Sequence, residues 1–226
     1  MVRYRLPIFP LPVVLFPGSA QGLHIFEPRY RQLLADCQAN DGRFGISPVV
    51  EESKMPPRPG SIGCTASIRE VASLADGRSN IIVGGGARYA IDGYVDTDRM
   101  YLVAEVHDID DEPWFDHAAM AELAADVRER YLDYLAAMGQ VWEGIPGAAP
   151  PEDPGGLSYT VSAALDLGLG LKIQLLELRS TFQRLELLRE ALGPLTSAAR
   201  ERAVLHQQAR RNGRRRLEPT TGEEHA

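Results

Sequence analysis

The sequence has few cysteines and no long apolar run. Of its 226 residues only two are cysteine, Cys37 and Cys64. Two cysteines are too few for a disulfide framework, and both fall at apolar positions that predict buried thiols. No stretch approaches the ~18 apolar residues of a spanning helix, and Pro7, Pro10 and Pro12 interrupt the apolar amino terminus where a signal peptide would need a helix. We therefore expect a cytoplasmic protein without a membrane partner.

Positive charge is also scarce. The formal net charge is −7, which disfavours nucleic-acid binding by the surface as a whole, because such binding needs a basic excess. The one concentrated positive segment lies near the carboxyl end and consists of Arg210, Arg211, Arg214, Arg215 and Arg216. This segment is a candidate anion-binding site for RNA or an acidic protein, and the alternative is a solvated tail.

What the sequence does contain is a proline-punctuated amino-terminal pattern. Residues 6–9 and 13–16 are short apolar runs separated by Pro10 and Pro12, and they predict a kinked strand at a sheet edge or at the rim of a barrel. Pro17-Gly18 predicts a turn, residues 23–26 a further strand, and Glu27-Pro28 the start of a helix with its buried face at every third or fourth position.

After residue 42 the apolar residues first follow the alternation of strands and then, from residue 120, the period of a helix. Residues 43–50, 62–68, 81–91 and 101–107 predict strands, with a hairpin at Asp76-Gly77 and a bend at the triple glycine 84–86. From 120 to 138 apolar residues recur with the helical period. Residues 144–156 predict a loop, 158–166 and 170–178 short helices, and Ser180 with Gln183 the start of another helix. Gly193-Pro194 should end or kink that helix.

Several of these stretches resemble one known family. LPIFPLPVVLFPG at 6–18, LHIFEPRYRQLL at 23–34, IIVGGGARYAI at 81–91 and KIQLLELRSTFQRLELLREAL at 172–192 are similar to motifs of the Lon protease amino-terminal, or substrate-binding, domain. The resemblance covers about the first 200 residues and is to free-standing versions of this domain, without the ATPase and protease domains.

The resemblance implies an α+β fold and a binding function. We expect a PUA-like small β-barrel lobe at residues 1–112, a helical bundle lobe at 113–212 and a disordered tail at 213–226. The implied function is non-catalytic binding of unfolded or partner polypeptides, in the manner of an adaptor or chaperone, with a separate Lon-type protease as a candidate partner. The alternative is an RNA-associated module that uses the arginine-rich tail.

We also considered catalytic, metal and cofactor sites. Lys172 lies in neither a phosphate-binding loop nor a Ser-Lys dyad, and the histidines and cysteines lack the short paired spacing of zinc ligands. The glycine run before Arg88 favours a bent strand over an anion-binding loop. The acidic run at 108–112 favours a solvated hinge over a calcium loop. We therefore expect no enzyme activity, no metal and no cofactor.

Candidate polypeptide-binding residues lie near the predicted barrel rim and in the proline-rich loop 54–60. They are Leu23, Phe26, Tyr30 and Met55. Each of them could instead belong to the core, and for Phe26 and Tyr30 burial is the stronger expectation.

Overall fold

The structure is a computed structural model that describes the backbone of residues 2–50, 55–139 and 149–215, and side chains as far as residue 205. Six strands are β1 (Arg3–Leu11), β2 (Ala20–Ile25), β3 (Arg43–Pro48), β4 (Ile62–Ser73), β5 (Ser79–Val95) and β6 (Leu102–Ile109). Five helices are α1 (Pro28–Gln38), α2 (His117–Gly139), α3 (Pro154–Ala164), α4 (Leu169–Glu177) and α5 (Thr181–Arg215). The predicted α+β class is confirmed.

Five of the strands close into a barrel. The sheet order is β2-β5-β4-β3-β1-β6, and β6 pairs in addition with β5. Only β1 and β3 run parallel, and the other pairs are antiparallel. The last part of β5 closes the ring because it pairs with β4 on one side and with β6 on the other, whereas the first part of β5 pairs with β2. β2 is joined only to β5 and lies outside the ring.

The triple glycine lies between the two parts of β5. Pairing with β2 ends at Gly84, and pairing with β6 begins at Arg88. A side chain at Gly85 would collide with the main-chain carbonyl of Phe16, so this approach of the two backbones requires glycine. The loop before β2 therefore packs directly on the bend that the glycines were predicted to form.

Two apolar clusters make up the core. The smaller one contains Leu6, Ile8, Tyr89, Ile91, Ala104 and Val106 from strands of the ring. The larger one continues without interruption from the strands through α1 into the helices. Leu185, Leu188 and Leu192 of α5 are completely buried in this cluster, as the helical period predicted. The division into lobes stays a prediction, with its boundary between the end of β6 and the start of α2.

Two local predictions are wrong. Residues 13–16 form no strand, whereas Pro7 and Pro10 both lie inside β1, which pairs on both sides and is no edge strand. Of the two alternatives at Gly193-Pro194, an end of the helix is wrong, because α5 continues through Pro194 to Arg215, whereas a kink there stays a prediction. A proline leaves only one carbonyl of the preceding turn without its helical partner, and packing of α5 against α2 and α3 outweighs that loss.

Candidate functional site

A groove beside α1 brings two of the four predicted binding residues together. Tyr30 and Met55 both line this cavity of about 370 Å³, which we call the α1 groove. Its walls come from β1, the start of α1, the loop after β3 and the residues around the start of β6. The full lining is Ile8, Pro10, Arg29, Tyr30, Val49, Met55, Pro56, Met100, Tyr101 and Leu102.

The surface of the α1 groove is about equally polar and apolar, and two of its lining residues are exposed methionines. Met55 is 66% exposed and Met100 is 61% exposed. Tyr30 is buried, and Arg29 lies over its ring with the guanidinium carbon 4.5 Å from the ring centroid. Burial raises the pKa of the Tyr30 hydroxyl, so the ring stays neutral at physiological pH. The groove therefore offers apolar and polar contacts in about equal measure, and Arg29 is the one charged residue among its described lining residues.

The other two predicted residues lie on a different surface. Leu23 is half-buried and lines a hollow of about 380 Å³ formed by β2, β5 and Glu70 of β4. Phe26 is 57% exposed and stacks on His24, with 5.8 Å between ring centroids. The expectation of burial is thus confirmed for Tyr30 and wrong for Phe26. The structure does not gather the four predicted residues into one site.

The arginine-rich segment falls near the end of the described chain. The backbone of Arg210, Arg211, Arg214 and Arg215 belongs to α5, and their side chains and Arg216 lie outside the described residues. The predicted anion-binding role of these arginines stays a prediction.

A buried polar cluster between the strands and the helices was not predicted. Its centre is Asp111, just after β6, which pairs with both Arg88 of β5 and Arg184 of α5. The Arg88 Nη2 to Asp111 Oδ1 distance is 2.5 Å. Tyr159 and Thr181 each donate a hydroxyl to the same carboxylate at 3.0 Å. We call these five residues the Asp111 cluster.

Further hydrogen bonds make the Asp111 cluster a junction between layers. Arg88 donates to the carbonyl oxygens of Leu176 and Leu178, each at 2.7 Å, and so binds the last turn of α4. Arg184 donates to the carbonyl of Leu178 and to the hydroxyl of Ser158. Burial alone would raise the pKa of Asp111, but the hydrogen bonds and charges of the two guanidinium groups outweigh burial and hold that pKa below its usual value.

The Asp111 cluster corrects two interpretations of the sequence. Asp111 does not belong to a solvated acidic hinge, because it is the shared partner of two fully buried arginines. Arg88 follows the glycine run but is paired inside the protein, so it does not face an external anion. The sequence signal was an arginine in an otherwise apolar strand, which indicates a buried cation in need of a carboxylate.

The two cysteines are buried thiols. The thiols of Cys37 and Cys64 are buried as predicted, and burial raises the pKa of each to about 12, so neither is a thiolate nucleophile at neutral pH. Within the described ranges no three His, Cys, Asp or Glu side chains approach closely enough to hold a metal ion. In the same ranges no helix is both long and apolar enough to cross a bilayer.

Comparison with protein families decides the classification. The model of the ATP-dependent protease La (LON) substrate-binding domain matches residues 5–193. The chain belongs to this family. The resemblance found in the four sequence motifs is therefore confirmed, and the matched region is of the substrate-binding type.

Individual relatives agree with the family match. The chain is 24% identical to Lon protease 1 of Hydrogenovibrio crunogenus over 82% of its own length, and 26% identical to the Lon protease of Heliobacterium modesticaldum over 93%. It spans only about a quarter of the length of these proteins, 23% and 26% respectively.

Solved structures share the fold. A Lon N-terminal domain protein from Xanthomonas campestris aligns with 82% of this chain and 96% of its own, with a TM-score of 0.58 and 26% identity. The N-terminal domain of the Mycobacterium avium complex Lon protease aligns with 86% of this chain and 98% of its own, with a TM-score of 0.67 and 24% identity. The barrel followed by helices is thus a fold of Lon N-terminal domains.

Proposed function

We propose that this protein binds unfolded or extended polypeptide segments in the α1 groove, without catalysing a reaction. The observation that carries the proposal is the pair of exposed methionines, Met55 and Met100, in a cavity whose lining is about half apolar. Methionine side chains are unbranched and polarizable, so they adapt to many apolar partners. Such a surface suits a ligand class defined by exposed apolar side chains.

The size of the α1 groove supports the same ligand class. A cavity of about 370 Å³ accommodates a few side chains of a passing segment but no folded domain. Affinity should be modest, because ordering a flexible client costs several kcal/mol of the contact energy. Native proteins, which keep their apolar side chains inside, should bind poorly.

The proposal also includes a partner protein and a cellular compartment. The Lon proteases to which the chain is similar make a Lon-type protease the natural recipient of a bound client, with this protein as an adaptor or chaperone-like module. Two unpaired, buried thiols fit a reducing compartment, so we place this activity in the cytoplasm.

The test replaces both exposed methionines by aspartate. Affinity for a labelled client, reduced and carboxymethylated α-lactalbumin, is measured by fluorescence anisotropy. Full burial of one methionine is worth about 1.5–3 kcal/mol, so even partial contact predicts a loss of about tenfold or more for M55D/M100D. Because both side chains are exposed, the free energy of unfolding should change by no more than about 0.5 kcal/mol per site.

The matched control is L132D. Leu132 is an exposed apolar residue on α2 and does not line the α1 groove. Unchanged binding by M55D/M100D together with weakened binding by L132D would place the client on the helices and refute the groove. Binding that falls steeply with salt and disappears on truncation after Asn212 would point to the arginine-rich tail instead.

A further inference from the structure

The outer edge of β2 has no strand beside it. β2 lies at one end of the sheet order, and β5 is its only partner among the described strands. A strand in this position leaves every second main-chain N–H and C=O without a ladder partner. The edge is therefore a row of hydrogen-bonding groups at the surface of the barrel.

The register identifies the groups that point outward. The Gly85 N–H donates to the Ser19 carbonyl, which directs Ser19 towards β5 just before β2 begins. Alternation along the antiparallel pair then directs the main-chain groups of Gln21, Leu23 and Ile25 towards β5, and those of Gly22 and His24 away from it. The amide of the Gln21 side chain donates to the Gly22 carbonyl at 3.0 Å on the exposed side, which agrees with an outward carbonyl and leaves its second lone pair for another donor.

None of the usual protections blocks this edge. Edge strands are normally defended by charged side chains or proline, and the β2 sequence AQGLHI has no proline, lysine, arginine or acid. A Cβ atom built on Gly22 would meet no atom within 4 Å, so the face of the sheet is open at this residue. Gly22 and His24 are both exposed, and no described strand lies on their outer side, so the edge is accessible to another backbone.

Apolar side chains flank the edge on the outer face. Ile82, which is 41% exposed, pairs with Gly22 in the register, and Phe26 follows β2 directly. Phe26 also immediately precedes Glu27, the residue that caps α1, whose first turn contributes Arg29 and Tyr30 to the α1 groove. The edge and the groove are thus neighbours along the chain, with only Phe26 and Glu27 between β2 and α1.

We propose that an extended segment of a client polypeptide adds to β2 as a further strand, hydrogen-bonded to Gly22 and His24, with its apolar side chains on Ile82 and Phe26. This inference rests on the proposed polypeptide-binding function and names its ligand more narrowly as an extended backbone. Recognition through main-chain groups is independent of client sequence, which suits a protein that receives many unfolded partners. A second copy of this chain is the competing occupant.

The test compares two substitutions at one position. G22P removes the outward N–H and fills the edge with a ring, whereas G22A keeps the N–H and adds a methyl group into open space. Gly22 is not among the glycines with positive φ, so neither substitution forces a left-handed backbone. The probe is a labelled peptide of alternating valine and threonine, and affinity is measured by anisotropy.

We expect G22P to weaken binding of this peptide about tenfold or more and G22A to leave it within about twofold. Equal effects of the two substitutions, or none from G22P, would overturn the proposal. The matching test on the ligand uses the unsubstituted protein and a peptide that is N-methylated at alternate residues, and this peptide should bind at least tenfold more weakly than its parent. An N-methylated peptide that binds as well as its parent would also overturn strand addition.

Two further measurements separate the competing explanations. If G22P abolishes self-association in sedimentation equilibrium and leaves peptide affinity unchanged, the edge pairs with a second copy and the proposal is wrong. If M55D/M100D has no effect on the unfolded client while G22P weakens its binding, the client binds at the strand edge and the α1 groove is refuted. If M55D/M100D weakens binding and G22P has no effect, the client binds in the α1 groove and strand addition is refuted.

Discussion

Substitution of Asp111 by asparagine should cost more stability than any other single loss of a carboxylate among the described residues. The D111N side chain keeps the shape of aspartate but removes the charge that two fully buried guanidinium groups share. Two charge-assisted contacts at about 1.5–3 kcal/mol each set an upper range of about 3–6 kcal/mol. The carboxylate is 23% exposed, which brings the expected loss to about 3–5 kcal/mol.

The assay is urea unfolding followed by circular dichroism, with D133N as the control. Asp133 pairs with Arg200 at 3.3 Å on the exposed surface, where an ion pair is worth at most about 1 kcal/mol. A decrease in the midpoint at constant slope measures the loss, and about 2–4 °C of thermal midpoint should accompany each kcal/mol at this chain length. If D111N and D133N lose the same small amount, the Asp111 cluster does not hold the strands to the helices.

Three further outcomes follow from the same structure. Because the folded-state pKa of Asp111 lies below its unfolded value, the stability it contributes is present above about pH 4 and is lost as the pH falls further, so acid unfolding should be shallower in D111N than in the wild type. G85A should destabilise the protein by about 2 kcal/mol or more in urea unfolding, because its methyl group meets the Phe16 carbonyl, whereas G93A, which meets no atom within 4 Å, should cost under about 1 kcal/mol. At pH 8 a thiol reagent should label neither buried cysteine until urea unfolds the chain, and early absorbance change in native protein would contradict their burial.

The sequence predicted an element correctly where two independent local patterns agreed on it. α1 was predictable because Glu27-Pro28 marks its start and the spacing of Tyr30, Leu33 and Leu34 marks its buried face, so capping and periodicity agree. For residues 13–16 the only pattern that indicated a strand was the strand propensity of the residues themselves. Propensity did not decide the structure there, because the preceding prolines fit inside β1 and the loop is held by packing against Gly85.

The binding surfaces and the Asp111 cluster depended on distant partners. Asp111 meets Arg184 across 73 residues of sequence and Arg88 across 23, and no local pattern separates it from its acidic neighbours. The α1 groove likewise unites Met55 with Met100, which are close only after the barrel closes. Sequence identified the candidate residues for the proposed polypeptide binding, whereas the strand pairing determines which of them share a surface.

The span of the Asp111 cluster also has a consequence for synthesis. A ribosome adds about 5–20 residues per second, so Arg184 emerges roughly 4–15 s after Asp111. By then all residues of the barrel strands have been synthesised, yet until Leu176 and Leu178 follow, Arg88 has no α4 carbonyls to bind, and until Arg184 follows, Asp111 has only one of its two cations. Until α5 has been synthesised, the Asp111 cluster is therefore incomplete, and Arg88 and Asp111 lack the helical residues that bury them in the folded protein.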